Sequence, residues 1–123
     1  MRKFTVAATA ALLAFTGTLA AQDWPSARVI TMIIPFAPGG GVDASGRIQA
    51  QRMGELLGQT IIVENVGAGA GTVGSMRVAK DTPDGYTMLM GNTGTHAYSQ
   101  GLRKNPPYTA ADFAPVGTQG AGD

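Results

Sequence analysis

Pro35-Phe36-Ala37-Pro38-Gly39-Gly40-Gly41-Val42-Asp43 decides the fold. It follows an apolar run, Val29 to Ile34, and precedes a helix-like stretch, Ala44 to Leu57. A strand, a glycine-rich turn and a helix start in that order leave backbone N–H groups able to face an anion. Glycines clear side chains from such an approach and permit positive φ. Asp43 reads as the N-cap or a first-turn residue, with a carboxylate that accepts a backbone N–H and fixes where the helix begins. Its own charge opposes a direct anion contact, so it organises the loop. The amides of Gly39, Gly40, Gly41 and Val42 are the expected donors.

Further apolar runs follow. Thr60 to Val63 is rich in β-branched residues, which favour a strand. Thr87 to Met90 is a third short run. Continuous apolar runs suit parallel strands covered on both faces. Between them Ala44 to Leu57 and Gly71 to Lys80 read as helices, so the order is β-α-β-α-β. Right-handed crossovers are expected. Gly46, Ala50, Met53 and Leu57 form a modest apolar helix face, broadened by Ile48 and Leu56. Gly58 is the expected left-handed stop.

The second glycine-rich run, Gly67 to Gly71, reads as a strand-to-helix connection with Thr72 near the cap. Pro83-Asp84-Gly85 is a turn signal, and Tyr86 is a packing residue at a strand entrance. Gly91-Asn92-Thr93-Gly94-Thr95-His96 then follows the third strand. Ligands of open α/β sheets gather outside the carboxyl ends of the strands. Asn92, the Thr93 and Thr95 hydroxyls and His96 complete the candidate binding set with Gly39 to Asp43. His96 reads equally as a packing residue.

Several functions are disfavoured. The glycines do not match G-x-G-x-x-G, and no Gly-Lys-Ser/Thr closes the turn, so nucleotide binding is not expected. One histidine with scattered acids gives no metal-site spacing. No cofactor is expected. A small hydrolase or isomerase using His96 with Asp43 is the enzyme alternative, but no activated nucleophile supports it, and no catalytic residue is assigned.

The first residues read as a secretory leader. Arg2 and Lys3 give the charged start, Val6 to Phe15 the apolar core, and Thr18, Ala20 and Ala21 the cleavage region. The core is shorter than the roughly 20 residues that a spanning helix needs. Residues 1–21 are therefore expected to be removed on export to the periplasm. Of nine basic residues two lie in this leader, whereas all eight acidic residues lie beyond it. The mature part is near neutral with scattered charges, which points away from nucleic acid. With no cysteine, it must rely on core burial.

Together these segments resemble the tripartite tricarboxylate transporter substrate-binding proteins, the Bug or TctC family. The resemblance runs from Trp24-Pro25 through Val29 to Asp43, Leu57-Gly58-Gln59, Ile61 to Asn65 and Asp84-Gly85-Tyr86-Thr87, to Asp112-Phe113-Ala114-Pro115-Val116. It implies a periplasmic two-lobed (type II) binding protein that closes on a small carboxylated solute and presents it to a membrane permease. It also implies that Thr95 contacts the ligand. Residues 22–123 then correspond to an incomplete N-terminal α/β lobe, and Val116 stands where another strand should begin. A truncated, non-functional exported fragment is the alternative. The sequence departs from the family pattern at Ala68, Ala70, Ser99-Gln100 and Arg103, all near the expected mouth of the site.

Overall fold

The structure, a computed structural model, describes residues 23–120. The expected leader lies outside the described residues. Three strands and two main helices alternate: β1 (Ile30–Ile34), α1 (Gly41–Leu57), β2 (Ile61–Asn65), α2 (Thr72–Ala79) and β3 (Thr87–Leu89). A π turn, Gly94–Tyr98, runs into the short α3, Ser99–Gly101, and a 3₁₀ turn, Ala110–Asp112, follows. The β-α-β-α-β order is the one expected.

All strand pairs are parallel, in the order β2-β1-β3. Ile30 pairs with Ile61 and Ile34 with Asn65, while Thr31 pairs with Thr87 and Ile33 with Leu89. The chain thus steps from β1 to one side and then across β1 to the other. Right-handed crossovers in opposite directions put α1 and α2 on opposite faces. Consecutive residues agree with this. Ile34 lies under Gly46 of α1, where an added Cβ would come within 2.6 Å of Ile34 Cδ1. Pro35 lies under Gly74 of α2, where an added Cβ would be 2.9 Å from Pro35 Cβ.

β1 is the covered centre of the sheet. Ile30, Ile33 and Ile34 are fully buried, each worth about 1.5–3 kcal/mol relative to exposure. Met32, Ile34 and Ala50 form a core cluster against which Phe36, Val42, Met53 and Val63 pack. Ile48 and Leu56 do not broaden the buried face of α1, for they are 70% and 69% exposed. Ile48 follows Gly46 by two residues, which turns it roughly 200° around the helix.

Element ends differ in informative ways. α1 begins three residues earlier than expected, at Gly41, with Gly40 as an extended N-cap that makes no side-chain cap bond. Asp43 is therefore a first-turn residue and not the cap. β2 runs on through Glu64 and Asn65 because both find side-chain partners: Glu64 pairs with Arg77, and Asn65 bonds Asp43. Gly58 ends α1 at φ 62°, in the left-handed region, as expected. Tyr86 is buried, and its hydroxyl accepts the Ala27 N–H at 3.2 Å, a packing role at the strand entrance. Residues 114–120 are irregular, so no strand begins at Val116 among the described residues. No described helix is long and apolar enough to cross a membrane.

Candidate functional site

The loops after β1, β2 and β3 meet at the carboxyl edge of the sheet. Three glycines let the second loop press on the first. An added Cβ would fall 2.7 Å from Ala37 N at Gly67, 3.2 Å from Pro35 O at Gly71, and 2.9 Å from Pro35 Cβ at Gly74. The Gly67-x₃-Gly71-x₂-Gly74 spacing carried that signal in the sequence. Gly71 also abuts the third loop, at 2.7 Å from Thr95 Cγ2.

The first loop is tied from behind by Asp43, which is only 4% exposed. Its carboxylate accepts Gly39 N–H at 2.9 Å, Arg47 Nε at 3.0 and 3.1 Å, and Asn65 Nδ2 at 2.8 Å. Asn65 Nδ2 also reaches Phe36 O at 3.1 Å, and Arg47 Nη2 donates to Asn65 Oδ1 at 2.9 Å. The Arg47 hydrogen bond, then the Gly39 amide, then Asn65 hold the Asp43 carboxyl down to about 2. A charge enclosed and fully bonded in this way organises backbone, the role expected for it.

Gly39 differs from expectation. Its N–H is turned toward Asp43, four residues ahead, so it is not open to a ligand. Gly40 and Gly41 are exposed at the start of α1, where the first amides of a helix have no intrahelical partner. The Val42 side chain packs on the core cluster, which leaves only its amide in that set.

The third loop is built around a reciprocal pair. Asn92 Oδ1 accepts Thr95 N–H at 3.1 Å, and Thr95 Oγ1 accepts Asn92 N–H at 2.9 Å. This is the logic of a capping box, with asparagine and threonine in the two roles. Thr95 Oγ1 also donates to Asn92 O at 3.0 Å and lies 2.8 Å from His96 Nδ1. Tyr108 Oη donates to Thr95 O at 2.7 Å. Thr95 is fully buried, and its hydroxyl is saturated by partners within the loop. His96 is also turned inward. Its ring covers Gly91 and lies 5.0 Å from the Phe113 ring, with Tyr108 beyond at 6.5 Å. Thr93 is exposed at the start of the helical run.

A cleft of about 380 Å³ opens among these loops, lined by Phe36, Ala70, Asn92, Gly94, Tyr98, Ser99, Leu102 and Arg103. Of the binding residues expected from sequence, Asn92 alone lines it; Gly40, Gly41 and Thr93 are exposed outside its lining. Asn92 uses Oδ1 internally and keeps its Nδ2 to donate. Arg103 was marked in the sequence only as a departure near the mouth, and Phe36 only as part of the first loop; Tyr98 and Leu102 were missed because nothing in their spacing sets them apart. The π turn that carries Tyr98 is stapled by Ser99, whose amide and hydroxyl both reach Gly94 O, the hydroxyl at 2.9 Å. Ala70 occupies a left-handed conformation, φ 53°, between Gly69 and Gly71.

This arrangement has counterparts. Residues 46–118 match the family model described as the tripartite tricarboxylate transporter family receptor. The chain belongs to that family. A UPF0065 protein of Bordetella pertussis is 40% identical over 114 residues, covering 90% of this chain and 35% of that protein. A solved structure described as a periplasmic transporter superposes with a TM-score of 0.67 at 41% identity, over 70% of this chain and 29% of that one. An R. palustris protein solved with adipate gives 0.66 at 35% identity, over 72% and 29%. The family member described here is thus α/β, with the fold of one part of a periplasmic binding protein. It spans about a third of the length of the curated relatives it matches.

Proposed function

We propose that the chain serves in periplasmic capture of a small carboxylated solute for a tripartite tricarboxylate-type transporter, as the first-lobe part of a two-lobed receptor. Residues 1–21 act as the export leader, and residues 22–123 form the lobe. The observation that carries the reading is the cleft among the loops that follow the parallel strands, lined by Phe36 of the first loop and Asn92 of the third. Family membership and the adipate held by the R. palustris relative support the solute class.

In this reading the amides of Gly40, Gly41 and Val42 receive a carboxylate, where the positive end of a 17-residue helix favours negative charge. Asn92 Nδ2 and Thr93 face it across the crevice. Asp43, Thr95 and His96 shape the loops from behind. The carbon skeleton rests on Phe36 and Tyr98. The solute is released to a membrane permease, not transformed.

Amide resonances of the chain, followed during titration with adipate, test this. Shifts concentrated at Gly40, Gly41, Val42, Asn92 and Thr93 are expected. Shifts confined to other regions, or none up to high millimolar adipate, overturn the site.

A further inference from the structure

The chain has no cysteine, so its six methionines are its whole stock of sulfur. Their placement is uneven. Met32 of β1 lies in the core cluster, and Met53 of α1 and Met90 pack against that cluster. Met88 is the register partner of Met32. Paired residues of adjacent strands point to the same face, so Met88 also lies on the α1 side. Four thioethers therefore share the layer between α1 and the sheet. Met76 belongs to α2, on the other face.

Met90 links this layer to the site. Its Cγ would lie 3.5 Å from a Cβ added at Gly46 of α1, and its N–H donates to Ile33 O at 2.9 Å. The next residue, Gly91, opens the third loop, while α1 begins where the first loop ends. Met32 is only 4% exposed, whereas Met53, Met88 and Met90 are half-buried. Solvent thus reaches the rim of the layer but not its centre. A thioether is soft and fills irregular gaps, but its sulfoxide is polar and chiral. The side chains packed with Met53 and Met90 include Ile34, Phe36, Ala50 and Val63, none of which carries a hydrogen-bond donor. A sulfoxide oxygen formed there must turn out to water, and the close packing under α1 is lost with it.

We infer that Met53 and Met90 are sites of oxidative modification, at which a peroxide converts the thioether to the sulfoxide and loosens α1 from the sheet. A sulfur lone pair attacks one peroxide oxygen. The S–O bond forms as the O–O bond breaks, and the proton of the transferred oxygen passes to the departing hydroxide, which leaves as water. Sulfur is oxidised by two electrons and the peroxide is reduced by two. The inference stands apart from solute capture, for it concerns the joint beneath the loops and needs no ligand.

The test treats the native chain and the double variant Met53→Leu, Met90→Leu with hydrogen peroxide. Oxygen uptake is located by peptide mass mapping, and stability is read as the urea midpoint. Leucine conserves volume at these positions and cannot be oxidised in this way. Overlaid amide spectra before treatment establish that the double variant is folded; the two single variants replace it if its spectrum departs. Met53 and Met90 should gain oxygen before Met32. The native midpoint should then fall and the amides of Gly91 to His96 should shift, while the double variant keeps its midpoint under the same treatment. Three results overturn the inference: Met32 converting in step with Met53 and Met90, a native midpoint unchanged after both have converted, or an equal fall in the double variant.

Discussion

Asn65, the last residue of β2, donates to the Asp43 carboxylate of α1 at 2.8 Å, and its amide also reaches the Phe36 carbonyl at 3.1 Å. One side chain thereby joins the end of an edge strand, the first turn of a helix and the loop leaving the central strand. The Pro35–Gly41 segment is held in shape by these contacts behind it.

That junction has a pH signature. The folded-state pKa of Asp43, about 2, lies below its ordinary value of 3.8. A carboxyl depressed by folding contributes stability that is fully present above the ordinary value and is lost as pH falls through the folded one. The native chain should therefore exceed Asp43→Asn in urea midpoint at pH 6. The gap should narrow from pH 3.8 down to about 2. A difference that stays constant across that window contradicts the role given to the charge.

Thr95→Val replaces the hydroxyl by a methyl of similar size. It removes the bonds to Asn92 N and O and leaves partly buried backbone groups without their partner, at a cost of about 1 kcal/mol. Thr95→Ser keeps those bonds and loses one buried methyl, about 0.8 kcal/mol. Urea denaturation of the two variants should rank Val below Ser. The reverse order would mean that the methyl against Gly71, not the hydroxyl, secures the loop.

Gly74→Ala improves helix propensity by about 1 kcal/mol. Its new Cβ would nevertheless meet Val66 O at 3.0 Å and Pro35 Cβ at 2.9 Å, a carbonyl and a ring with little freedom to move. Overpacking of this kind costs about 1–3 kcal/mol, so a net loss is expected. A thermal melt at or above that of the native chain would show that α2 can lift from the sheet.

Ala70→Gly should act in the other direction. A left-handed alanine costs about 1–2 kcal/mol. The greater freedom of glycine in the unfolded chain returns about 0.4–1 kcal/mol of that. A stabilisation of about 0.5–1 kcal/mol is expected from chemical denaturation. A destabilised variant would indicate that the Ala70 methyl contributes packing at the cleft.

The layer order was legible because hydrophobic continuity reports burial: Val29 to Ile34, Thr60 to Val63 and Thr87 to Met90 all became strands within a residue or two. Helix starts were less legible. Gly41 is a poor helix former, yet the first helical position asks only for the right φ and ψ, and no intrahelical N–H bond is lost there. Glu64 and Asn65 read as lying beyond the second strand, since their partners, Arg77 and Asp43, are distant in sequence. The candidate site was half legible. That the three loops meet at the carboxyl edge followed from topology. Which way Thr95 and His96 turn did not, because a hydroxyl or imidazole suits a ligand and a backbone equally well. The Asn92-x-x-Thr95 spacing was a readable capping signal. Tyr98 ends the π turn and Leu102 caps the short α3, a segment without helical periodicity, and no pattern marked them.

The reciprocal pairing of Asn92 with Thr95 and the bonds of Asp43 draw on partners inside the fold, whereas Tyr98, Leu102 and Arg103 look outward. The frame and the cleft lining are therefore largely different residues, with Asn92 and Ser99 shared by both. Substitution at the outward positions alters the exposed face of these loops and leaves the bonds of the frame intact, so in the proposed capture role the preferred solute would change without a change in how the chain folds.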